Sequence, residues 1–90
     1  MSAELQTRAK DFLARPVPAT MNYVPDSIAE RFIRVYAQEG QLSEDGEAME
    51  LLGLAAMESS AMADQSKDQQ VAEYLRASSA LLESMLAERI

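Results

Sequence analysis

Apolar residues recur at helical spacing along almost the whole chain, and no run alternates at period two. The pattern predicts an all-α fold, a small bundle of about four helices with no strand. The first predicted helix covers about 3–14, where Leu5, Ala9, Phe12 and Leu13 share one face and Arg8, Asp11 and Arg15 lie opposite. Pro16 stops it, because proline disfavours helix in the residue before it and offers no N–H. The second covers about 26–39. Pro25 suits its entry, Ser27 and Glu30 are spaced for a capping box, and Ile28, Phe32, Ile33, Val35 and Tyr36 form one broad stripe. Gly40 is placed for a left-handed stop.

The third predicted helix covers about 44–64, with Ser43 as its N-cap and Glu44, Asp45 and Glu47 complementing the positive end of its dipole. The fourth covers about 67–89, with Ser66 and Gln69 as a capping box. Its apolar positions, from Val71 through Tyr74, Leu75, Leu81, Leu82, Met85 and Leu86, fall in one arc of roughly 140°. No Gly or Pro separates these two helices. A single helix over 43–90 would run about 70 Å at 1.5 Å per residue, which is long for so short a chain. The expectation is therefore a break near Gln65–Ser66 and an antiparallel hairpin. Between the first two helices lies PVPATMNYVP, a Pro-rich extended connector over 16–25. Its Val17, Met21 and Tyr23 are too greasy for a free linker and are expected to lie along the core or against a partner.

The third helix breaks the usual pattern, because it is apolar nearly all the way round. Ala48, Met49, Leu51, Leu52, Ala55, Ala56, Met62 and Ala63 fill one half of its wheel, which is ample to pack on its neighbours. Leu54, Met57 and Ala61 lie on the other half, rimmed by Glu47, Glu50 and Glu58. A helix apolar on every side is normally buried, yet four short helices can hardly surround one of their own number. The surplus face is expected to meet a second copy of the chain or another protein. A run of small residues, Gly53, Ala55, Ala56, Ser59, Ser60, Ala61 and Ala63, would let a neighbouring helix approach closely, although such runs also reflect plain helix propensity.

Ninety residues are expected to form one helical domain, 1–90, with little stability to spare unless it associates. The chain has no Cys and no His. This removes disulfides, the commonest general base and the commonest metal ligand. The first residues, MSAELQTRAKDF, lack the apolar core of a signal peptide, and the longest apolar run, LLGLAAM, is far short of a membrane span. A cytoplasmic protein with no membrane contact is the expectation. The net charge of −7 is unevenly placed: residues 1–40 hold five basic and five acidic side chains, whereas residues 41–90 hold three basic and ten acidic ones. Direct nucleic-acid binding, which wants a basic stripe, is disfavoured.

The chemical motifs fail when tested. QLSEDGEAMELL would put Gly46 at the sixth position of a calcium loop, but Gln41 and Leu52 then stand where the ligating Asp and Glu belong. Glu47 and Glu50 form E-x-x-E on one helix turn, but a bundle di-metal site wants Glu-x-x-His on two helices. There is no G-x-S-x-G elbow and no glycine-rich phosphate loop. An arginine clamp for a dianion fits poorly, because Arg8 and Arg31 lie outside the apolar stripes of their helices. No catalytic, cofactor-binding or metal-binding residue is expected, and no cofactor.

The function expected is that of a non-catalytic, acidic protein–protein interaction module, a regulator or inhibitor working by helix-mediated docking. Its partners would be another protein with a basic-rimmed groove and its own copy in a homodimer. The contact residues would be Glu47, Glu50, Leu54, Met57, Glu58 and Ala61, with Val17, Met21 and Tyr23 as a secondary contact. One alternative is an acidic nucleic-acid mimic, for example a phage-encoded inhibitor, that occupies a nucleic-acid-binding complex. Another is a structural dimerisation module.

Overall fold

A computed structural model of the chain describes residues 3–16, 18, 28–42 and 45–88. The described residues form four helices: α1 (Ala3–Ala14), α2 (Ile28–Glu39), α3 (Gly46–Gln65) and α4 (Gln69–Ala87). The all-α bundle is as the apolar spacing predicts, and the connector residues Val17, Met21 and Tyr23 lie outside the described residues.

Each helix ends for a local reason. α1 stops two residues before Pro16, and the Arg15 N–H turns back onto the Phe12 carbonyl at 3.1 Å. α2 ends at Gly40, whose φ of 73° is the left-handed geometry that glycine adopts without penalty. The Gly40 N–H donates to the Tyr36 carbonyl at 2.8 Å. The Ser27 half of the predicted capping box lies outside the described residues, and Glu30 instead forms an ion pair with Arg34 one turn on.

The caps of the last two helices differ from expectation. Asp45 caps α3: its backbone is extended and its side chain accepts from the Glu47 N–H at 3.0 Å, while the predicted cap Ser43 lies outside the described residues. Asp68, not Ser66, caps α4, accepting from the N–H groups of Gln70 at 2.9 Å and Val71 at 3.3 Å. Aspartate is as good an N-cap as serine, and its carboxylate also favours the positive end of the helix. Ser66 has the preceding role. Its extended backbone breaks the helical path, and its hydroxyl accepts from the Asp68 N–H and donates to the Asp68 carbonyl. A three-residue connection thus reverses the chain without Gly or Pro.

α3 and α4 form the expected antiparallel hairpin, with Asp64 beside Arg76 at its turn and Ala56 beside Ser79 farther down. α1 and α3 each pack on α2 and α4. All four helices feed one core. Ile33, Leu52, Leu82 and Met85 are its fully enclosed large side chains. Phe12 packs on Tyr74 with ring centroids 4.9 Å apart. Polar contacts also tie α2 to its neighbours. The Gln6 side-chain amide donates to the Ala37 carbonyl at 3.0 Å, and the Tyr36 hydroxyl donates to Glu88 at the end of α4. Three positions assigned by spacing to apolar stripes, Leu13, Ile28 and Val35, are exposed among the described residues.

The candidate interaction face of α3

The inward side of α3 is made almost wholly of small residues. Leu52, Ala55, Ala56, Ser59 and Ala63 are its buried positions, spanning an arc of about 100° at 3.6 residues per turn. Leu52 alone among them is large. α4, the helix that packs against α3, buries Ser78 and Ser79 among its larger residues. The Ser79 hydroxyl donates to the Ala56 carbonyl at 3.0 Å across this seam. A serine there satisfies its own polar group on the facing backbone and takes up little room. The run of alanines and serines is therefore a packing device as well as a helix-forming one.

With small side chains inside, the large ones of α3 are left outside. Met57 is 70% exposed, Leu54 55%, Met62 47% and Leu51 39%. Glu47, Glu50, Glu58 and Ala61 are exposed as well. The six residues singled out from the sequence, Glu47, Glu50, Leu54, Met57, Glu58 and Ala61, fall within an arc of about 100° on the side away from the core. Leu54 is the centre of this arc, with Glu50 one turn before it and Glu58 one turn after.

Leu51 and Met62 extend the face beyond those six. The wheel grouped them with the packing half of the helix, and the structure exposes both. The buried positions of α3 span only about 100°, and Leu51 and Met62 fall just outside that arc. The spacing of the small residues was the signal that could have placed them. From Leu51 to Met62 the apolar face runs about 16 Å along the helix.

Charge on this face has one sign. Between Arg34 and Lys67 the chain carries no basic residue and seven acidic ones. Asp64 near the end of α3 pairs with Arg76 of α4 at 3.6 Å, and both side chains are mostly exposed. So open an ion pair contributes little. Among the described residues no group of three His, Cys, Asp or Glu side chains is arranged to hold a metal ion. No described helix is long and apolar enough to cross a membrane. Comparison with family models, curated proteins and solved structures finds no match for this chain.

Proposed function

We propose that this protein is a non-catalytic interaction module that regulates or inhibits a partner protein by docking the outward face of α3 against it. The observation that carries this reading is the inverted distribution of side chains on α3, with alanine and serine inside and Leu51, Leu54, Met57 and Met62 outside. Folding alone favours the opposite arrangement, because burying a leucine or methionine stabilises by about 1.5–3 kcal/mol. An exposed apolar cluster bordered by polar residues is the usual form of a docking site. Apolar residues at i, i+3 and i+7, as Leu54, Met57 and Ala61 are, form the usual anchor pattern of helix-mediated docking. Methionine suits such a surface because its unbranched thioether adapts to the partner's shape. The lack of His and Cys agrees with a binding role over a catalytic one.

The test is capture from native extract with tagged protein, repeated with Leu54→Asp and Met57→Asp, with helicity followed by circular dichroism. A protein retained by the parent chain and lost by both variants, at unchanged helicity, is the expected result. Capture that survives both substitutions would remove α3 from the binding surface and the proposal with it.

A further inference from the structure

The outward face of α3 carries enough charge information to say what kind of surface covers it, given that it is a docking face. A second copy is the first candidate, since two-fold pairs are the commonest oligomers. The acid pattern opposes it. With Leu54 laid antiparallel on its own copy, Glu50 falls opposite Glu58, twice. With Leu54 laid on Leu51, Glu47 falls opposite Glu58. With Leu54 laid on Met57, Glu47 falls opposite Asp64, which is mostly exposed despite its pairing with Arg76. A parallel pair sets each carboxylate against itself. α3 itself holds no Lys or Arg to relieve any of these registers. Like charges apposed at the edge of an interface select against that partner.

We infer that the occupant is a cationic amphipathic helix of another protein. It would set an aliphatic or aromatic anchor against Leu54 and Met57, with Lys or Arg about four residues to either side of the anchor. Those two cations meet Glu50 and Glu58, which stand one turn before and one turn after Leu54 on an exposed face. The spacing is symmetric about Leu54, so the partner helix is accepted in either direction. The apolar centre supplies most of the affinity, and the flanking charges supply the choice of partner and speed the encounter.

The test uses two synthetic helical peptides with a central leucine anchor. One carries Arg four residues to either side, and its twin carries Glu at the same places. Each is titrated against the full chain, while sedimentation follows self-association of the chain. The Arg peptide is expected to bind more tightly by about tenfold or more, and the chain alone to remain monomeric. The preference should shrink as salt is raised from about 0.1 M to about 1 M, where the screening length falls from about 10 Å to about 3 Å. Glu50→Arg combined with Glu58→Arg should invert the preference, and Leu54→Ser should abolish binding at unchanged helicity. Equal binding of the twins, or binding of neither, overturns the inference. A dimer dissolved by Leu54→Ser also overturns it, while sparing the reading of α3 as a docking face. If Leu54→Ser alters neither association nor peptide binding, that reading fails as well.

Discussion

α3 and α4 are neighbours of nearly equal length, and they use their apolar residues in opposite ways. α4 buries Tyr74, Leu75, Leu81, Leu82 and Met85, and none of its large apolar side chains is exposed. α3 buries one large residue, Leu52, and exposes four. The two helices share one seam, so the difference does not come from position in the chain or from secondary structure. It comes from which face of each helix carries the large side chains. α4 is built to hold the fold together. α3 contributes an inner surface made mostly of small residues and leaves four large apolar side chains in solvent.

The sharpest way to break this comparison is to truncate a leucine on each helix. Leu82→Ala leaves a cavity where the side chain is fully enclosed, and should cost about 3 kcal/mol, lowering the midpoint of thermal unfolding by more than about 10 °C. The seam is tested from the other side by Ala56→Leu. That position is buried against α4, and its carbonyl accepts from Ser79. Overpacking should destabilise by about 2 kcal/mol in urea unfolding.

The hairpin turn gives a smaller effect. Asp68→Ala removes the acceptor for two N–H groups at the start of α4. A loss of about 1 kcal/mol is expected by chemical denaturation, with rescue by Asp68→Asn. Gly53→Ala should stabilise by up to about 1 kcal/mol, because an added Cβ meets nothing within 4 Å and alanine is the better helix former. The smallest effect belongs to Leu54→Ser, which should change stability by no more than about 0.5 kcal/mol despite removing a leucine from a helix. A large loss there would mean that the exposed face serves the fold after all.

The fold was largely legible because 3.6-residue spacing dominates the chain. α1 is where Leu5, Ala9 and Phe12 place it, and the hairpin break was readable from the length of the alternative helix. The caps were less so. Asp45 and Asp68 each stand two residues after a serine that is an equally competent cap by residue type, so the sequence alone does not choose between them. The outward position of Leu54 and Met57 was readable from the wheel. That of Leu51 and Met62 was not, because a wheel shows direction and does not show how wide a seam will be. How much of α3 is buried depends on the helices that face it, as the Ser79 hydroxyl on the Ala56 carbonyl illustrates.

The most direct measurement is methionine-methyl NMR with a soluble paramagnetic agent, made on the chain alone and with the Arg-flanked peptide. In the free chain the methyl signals of Met57 and Met62, exposed on α3, should be strongly broadened, and that of Met85, 1% exposed in the core, should be spared. Adding the peptide should protect Met57 and Met62 and leave Met85 unchanged. Protection of Met57 and Met62 in the free chain would contradict a face left open for a foreign helix, and peptide binding that leaves both as accessible as before would contradict docking on this face.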